Sequence, residues 1–263
     1  MMNYLIKGGL VVDGNGGEPM LAEVLIKDGK IDAVISANEA VTDKSIEMIG
    51  VETIDASGCI VTPGFVDPHT HYDGQATWDD RLAPSADHGV TTVVMGNCGV
   101  GFAPVRPDER DFLIELMEGV EDIPGSAMAD GIDSAWESFP EYLDALDNKA
   151  RALDVVAQIP HGALRTYVLG QANNLNAPAT SEQIKQMAAL TQQAIEAGAF
   201  AFSTNRIAMH TSTDGESVPG TFAEKEEVFA IIKAMQDGGA NLLQVVPEGL
   251  MGENPTALQA EVQ

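Results

Sequence analysis

The sequence predicts an α/β protein: a small β-rich domain over residues 1–60, then the N-terminal portion of a (β/α)8 TIM-type barrel over 61–263. Three observations carry this reading. Short apolar runs in the first 60 residues are separated by Asp13-Gly14 and Asp28-Gly29, and Asp-Gly between apolar runs signals a tight hairpin. Beyond them, β-branched apolar runs alternate with stretches of helical periodicity, the pattern of βα units on a parallel sheet. Five such strand runs are present over roughly 200 residues, whereas a closed barrel takes about 250. The barrel is therefore expected to be incomplete.

The elements follow in order. Tyr4-Leu5-Ile6 and Leu10-Val11-Val12 are short strands, Ala22 to Lys27 and Lys30 to Ile35 flank the Asp28-Gly29 turn, and Val51 to Asp55 is another strand. Residues 36–50 are polar and read as a loop. Ile60 to Asp67 is an expected buried strand, although Pro63 removes one ladder donor. Further strands are expected at Thr91–Met95, Asp154–Ile159, Ala199–Thr204 and Asn241–Val246.

Helices are expected between them. One spans Asp108 to Glu118. Ser138 with Glu141 and Thr180 with Gln183 have capping-box spacing. Ile184, Met187, Ala188, Thr191 and Ile195 form an apolar stripe at helical spacing, and Gly198 sits where that helix must stop. Thr221 with Glu224 opens a fourth helix that ends at Gly238-Gly239. Asn254-Pro255 reads as one more helix start, with the chain ending before its apolar face develops.

Composition narrows the function. Lys and Arg number 14 against 40 Asp and Glu, a net charge of −26. Phosphate neutralisation needs clustered cations, so nucleic-acid and anionic-membrane partners are not expected. Two cysteines are not a disulfide framework. Met1 to Lys7 lacks the apolar run of a leader and no long apolar span occurs, so a cytoplasmic location is expected.

Chemistry concentrates at strand ends. His69 and His71, in Pro63-Gly64-Phe65-Val66-Asp67-Pro68-His69-Thr70-His71, stand at i and i+2. In extended backbone they share one face and reach toward one metal at the end of the strand, where barrel active sites lie. Cys98, in Gly96-Asn97-Cys98-Gly99, follows the next strand. Its flanking glycines suit a ligand loop better than a core position, and zinc binding would deprotonate its thiol. Cys59 lacks that setting and reads as core. His161 ends the third barrel strand, with a substrate or metal role and a loop-capping role both open. Arg206 ends the fourth, where it either grips a substrate carboxylate or forms an internal ion pair. Asp73, Trp78 and Asp79 either orient ligands or shape the loop. His88 precedes its strand and reads as structural, and His210 as a solvated loop histidine.

These residues resemble the amidohydrolase superfamily. The stretches Ile54-Asp55-Ala56-Ser57-Gly58 and Pro63 to His71 carry the likeness, and Met95-Gly96-Asn97-Cys98-Gly99 makes it similar to the N-acyl-D-amino-acid deacylases. Gly101 to Pro107 and Phe202 to Arg206 also fit that group. The resemblance implies a small β-sandwich joined to a metal-bearing (β/α)8 barrel. It implies Zn2+ held by His69, His71 and Cys98, the thiolate standing in for the bridging carbamylated lysine of cyclic amidohydrolases. The fourth strand, Ala199 to Asn205, holds no lysine, in keeping with the cysteine type. The implied reaction is metal-dependent hydrolysis of a linear amide in a small N-acyl amino acid. Two departures stand out. Gln244 occupies the fifth strand where a metal histidine is sought, and the catalytic aspartate of the group's eighth strand falls beyond residue 263. A cyclic amide or ureide substrate, as in dihydropyrimidinase- or dihydroorotase-like enzymes, and a non-catalytic fragment are the alternatives.

Overall fold

A computed structural model describes residues 3–36, 50–133, 135–250 and 256. The polar loop expected over 36–50 and the helix start at Asn254-Pro255 lie largely outside them. The chain divides into two compact units, Met1–Gly64 and Phe65–Gln263.

In the first unit, β1 (Asn3–Val11), β2 (Met20–Lys27), β3 (Lys30–Ser36), β4 (Val51–Asp55) and β5 (Ile60–Val61) form one mixed sheet among the described residues. The two short strands expected before residue 13 are one strand with an irregularity between Ile6 and Gly9. At Asp28-Gly29 both residues take positive φ, as a type I′ turn requires, and β2 and β3 pair antiparallel across it. β1 also pairs in parallel with β4 and β5. Val11, Ala22 and Val24 form the buried cluster on this sheet. Cys59 is exposed, not core.

The strand expected over 60–67 is two strands. Pro63 lacks the N–H that would continue a ladder, so β5 stays with the first sheet, and β6 (Phe65–Asp67) opens the second. There β6, β7 (Val90–Met95), β8 (Asp154–Pro160), β9 (Ala201–Asn205) and β10 (Leu243–Val246) pair in parallel in sequence order. This is the half-barrel that the alternating pattern predicts.

Six helices accompany the strands among the described residues: α1 (Arg110–Glu121), α2 (Gly125–Gly131), α3 (Phe139–Asp147), α4 (His161–Leu169), α5 (Ser181–Ala197) and α6 (Lys225–Asp237). Both halves of the capping box form at Ser138/Glu141 and at Thr180/Gln183. Gly198 ends α5 at φ 121. The box expected at Thr221/Glu224 does not form. α6 begins only at Lys225, because the Thr221 hydroxyl donates to Val218 O and accepts from Asn205. α2 and α4 are not visible in the pattern. Leu113, Leu116 and Met117 of α1, Met187 and Ile195 of α5, and Ile231 and Met235 of α6 join Met95, Ile159 and Phe202 of the strands in one core. No helix among the described residues is long and apolar enough to cross a membrane.

Candidate metal centre

The half-barrel brings His69, His71 and Cys98 together, their ligand atoms all within 4.8 Å of one another. Cys98 Sγ lies 3.2 Å from His69 Nε2. Two donors of one tetrahedral zinc, at about 2.3 Å for sulfur and about 2.0 Å for nitrogen, stand roughly 3.5 Å apart, so this spacing fits shared coordination. His71 Nδ1 is buried and has no hydrogen-bond partner among the described residues. Two imidazoles and a thiolate are a donor set that zinc favours. The residues present fit a divalent metal.

Backbone geometry aims the triad. Asp67 at the end of β6 accepts a hydrogen bond from His69 N at 3.2 Å and starts the loop. Between the histidines, the Thr70 hydroxyl donates to Val94 O at 2.8 Å. Asn97 Nδ2 donates to both Thr70 O (3.1 Å) and Val94 O (3.0 Å). Gln158 Nε2 donates to Asn97 Oδ1 at 2.8 Å. One buried amide thus ties the histidine loop to the cysteine loop and to β8.

Cys98 itself sits at φ 56, a left-handed conformation that non-glycine residues seldom adopt. It is held there from both sides. Its N–H donates to Gln244 Oε1 at 2.8 Å, and Gly99 N donates to Ser203 Oγ at 3.2 Å. The Ser203 hydroxyl donates to Gly96 O. Gln244, where a metal histidine is sought by resemblance, thus orients the cysteine backbone. Gly96 has φ +80, and a Cβ there would meet Gln158 O at 2.3 Å. Gly96→Ala is therefore expected to destabilise the protein by roughly 2 kcal/mol or more, from left-handed strain plus the clash. Thermal melting against the unaltered protein checks this, and an unchanged Tm would contradict it.

Two residues outside the strand ends also reach the centre. Glu121, the last residue of α1, places Oε1 3.1 Å from His71 Nε2. His210 is half-buried with Nδ1 lacking a partner among the described residues; burial and then His69 push it down, and it in turn pushes His71 down. The expected solvated loop histidine is instead beside the triad.

The electrostatics follow from burial. The Cys98 thiol is pushed up to about 12 by burial, then by Glu121 and Asp73. His71 is pushed down to about 3 by burial, then by His69 and His210, so it is a neutral donor at physiological pH. Glu121 rises to about 7 through burial and then Asp122. Asp73, buried beside the loop, rises to about 7 for the same first reason, against a hydrogen bond from the Gly96 backbone.

The remaining expectations separate. His161 is fully buried at the start of α4. Nε2 lies 2.8 Å from Glu227 Oε1 and Nδ1 2.8 Å from Thr204 Oγ1. Both nitrogens are thus engaged inside the fold, the arrangement of a structural histidine. Gly220 packs against its ring, where a Cβ would lie 2.5 Å from Nδ1. Arg206 follows β9, with Nη1 donating to Ala223 O at 2.8 Å. Asp79 accepts from Gln75 and from Arg81 N, a loop-shaping role. Trp78 packs by Gly131 and Gly74. His88 lies in the turn before β7 and is exposed.

A half-barrel of parallel strands thus carries a His-x-His at its first strand end and a cysteine after its second, a candidate metal centre. The model of the amidohydrolase family matches residues 52–260, and the chain belongs to that family. It is 30% identical over 237 residues to a D-aminoacylase of Alcaligenes xylosoxydans xylosoxydans, covering 90% of this chain and 43% of that protein. A D-aminoacylase structure with a binuclear metal centre superposes with a TM-score of 0.71 at 27% identity, covering 95% of this chain and 47% of the other. The N-acyl-D-glutamate deacylase of Bordetella bronchiseptica, complexed with zinc and a phosphonate inhibitor, gives 0.67 at 26% identity over 95% of this chain and 47% of the other. The chain spans less than half the length of these relatives.

Proposed function

We propose that this chain carries the metal-binding part of a zinc-dependent hydrolase that cleaves the linear amide of N-acyl-D-amino acids. In this reading residues 1–60 are the small domain and 61–263 the barrel portion. The observation that carries it is the convergence of His69, His71 and Cys98 within 4.8 Å. The likeness to deacylases of N-acyl-D-amino acids supports the substrate class.

His69, His71 and Cys98 would hold the metal. When bound, zinc supplies Lewis acidity that polarises the scissile carbonyl and eases deprotonation of the attacking water. The chain's own residues do the rest. Asn97, Ser203 and Gln244 hold the Cys98 loop so that the thiolate meets the two imidazoles with little reorganisation. Arg206, directly after β9, is assigned to the substrate carboxylate, where a planar guanidinium binds two oxygens at once. His161 is withdrawn from that role by its two buried bonds. A cyclic ureide is the less favoured substrate, since β9 carries no lysine for a bridging carbamate.

The test is zinc content followed by a substrate panel. Purified protein is expected to hold close to one zinc or more per chain. The hydrolase to which this part belongs is expected to release amino acid from N-acyl-D-amino acids in preference to their L-forms and to hydantoins. Absence of zinc, or turnover confined to cyclic ureides, would overturn the reading.

A further inference from the structure

Residues 206–224, between β9 and α6, form a loop that packs beside both ligand loops. Its neck is closed by Asn205, whose Nδ2 donates to Ile207 O at 3.0 Å and to Thr221 Oγ1 at 2.8 Å. Its tip is a small hairpin. Thr211 pairs with Ser217, Ser212 N donates to Glu216 O at 2.8 Å, and Val218 N donates to His210 O at 3.2 Å. Asn176 Nδ2 holds the hairpin from outside, donating to Ser217 O at 2.9 Å.

The two limbs of this loop rest on different walls of the centre. The outgoing limb lies against α1, where a Cβ at Gly119 would be 2.5 Å from Thr211 O and 2.4 Å from Ser212 C. Two residues further along that helix, Glu121 touches His71. The returning limb lies by the cysteine loop. A Cβ at Gly162 would meet both Gly99 O at 2.6 Å and Val218 Cγ1 at 3.4 Å. His210 precedes Thr211 and is bonded to Val218, so it is held between the segment that touches His71 and the residue that follows Cys98. The electrostatics agree, since His69 acts on His210 and His210 on His71.

His210 is nevertheless not one of the mutually close donors, which are His69, His71 and Cys98. Its ring is half-buried. Nδ1 is shut in by the fold, and neither ring nitrogen has a hydrogen-bond partner among the described residues. Three donors leave a tetrahedral metal one position for a ligand, and the centre is open to solvent at His69. A side chain that meets such a ligand, rather than the metal, stands one hydrogen bond outside the donor set. We propose that His210 is that residue: it donates from Nε2 to an anionic oxygen of a carboxylate- or phosphonate-type ligand in the open position. During amide hydrolysis the same N–H would meet the carbonyl oxygen, where negative charge gathers. The inference deepens the reading of the chain as part of an amide hydrolase, and it rests on His69, His71 and Cys98 holding the metal.

The experiment uses the full chain loaded with Co2+ and methylphosphonate as the probe, followed through the cobalt absorption bands. The unaltered protein is expected to bind the probe and shift its bands. His210→Ala is expected to weaken the probe about 10-fold or more, the worth of one hydrogen bond to a charged group. Its Co2+ and Zn2+ affinities by chelator competition should meanwhile stay close to those of the unaltered protein. His210→Gln keeps an N–H donor and should recover part of the loss. His88→Ala, altered in the exposed turn before β7, should behave as the unaltered protein. Unchanged probe affinity in His210→Ala would overturn the proposal, as would a metal-loaded unaltered protein that ignores methylphosphonate. Metal affinity lost about 10-fold or more in His210→Ala would overturn it too, because His210 would then be a metal donor. A lower melting temperature of the metal-free variant that accounts for the weaker probe would make the residue structural. An unaltered protein that takes up neither metal would overturn the centre and the proposal together. Metal and probe bound as expected, with N-acyl-D-amino acids left intact by the longer hydrolase, would overturn the substrate reading alone.

Discussion

Cys98→Ala is expected to abolish tight metal binding, with a loss of 100-fold or more, about 2.7 kcal/mol. The thiolate is the one anionic donor in the triad. Its loop is built around it, with a left-handed backbone at φ 56 held by Gln244 and flanked by a Ser203 bond on Gly99. Such strain persists only where the surroundings impose it. The pKa of about 12 has a measurable consequence. At pH 7 to 8 the metal-free protein carries the thiol, and binding must expel its proton. His71, at about 3, has none to give. Metal uptake is thus expected to release about one proton from Cys98, and affinity is expected to strengthen as pH rises. Calorimetric titrations in two buffers of different ionisation enthalpy measure that count. In Cys98→Ala this proton should vanish along with the affinity. Zinc content equal to that of the unaltered protein would remove Cys98 from the site.

The reach of sequence reasoning has a physical boundary here. His69, His71 and Cys98 are legible because they sit one step beyond apolar runs, and the ends of adjacent parallel strands must be neighbours. The capping boxes of α3 and α5 are legible because they depend on residues three apart. Glu121 and His210 are not, because both arrive on loops and helices whose placement depends on tertiary packing. The contact that seats them is the absence of a side chain at Gly119. Gln244 is legible as a departure but not as a hydrogen-bond acceptor for the backbone of a residue 146 positions away. Pro63 is visible as a weak point in a strand. That it separates two sheets follows only from β5 pairing with β1. His161 is the converse case. A strand-end position suggests chemistry, and the buried partners on both nitrogens become visible only in the fold.

Those partners carry the largest expected effect on stability. Arg165 and Glu227 are each 1% exposed at the side chain, and His161 is 0% exposed. Both carboxylate oxygens of Glu227 accept from Arg165 Nη1, and Oε1 also accepts from His161. The rest of the guanidinium is used on Leu175 O and Ala177 O. Burial pushes the Glu227 carboxyl up, but His161 and Arg165 outweigh it and hold it below its usual value. Burial also pushes His161 down. At neutral pH the cluster is therefore Arg165 cation, Glu227 anion and neutral His161. Glu227→Ala would leave the Arg165 charge buried without its counter-ion, and breaking a buried pair from one side costs about 3–5 kcal/mol. For a chain of this size that is a fall in Tm of roughly 10 °C. The pH dependence has a definite sign. A carboxyl depressed in the folded state stabilises above its unfolded pKa of about 4.3 and loses that contribution as pH falls through its folded value. The gap between the unaltered protein and Glu227→Ala should thus be full at pH 7 and narrow below about pH 4, as read by denaturant melts at both. Replacing Arg165 and Glu227 together by methionine and leucine should recover most of the stability at pH 7, since the cost lies in the orphaned charge rather than in the lost attraction. A double variant as unstable as Glu227→Ala would mean that the guanidinium bonds to Leu175 and Ala177, not the ion pair, hold α4 to the β9–α6 side of the half-barrel.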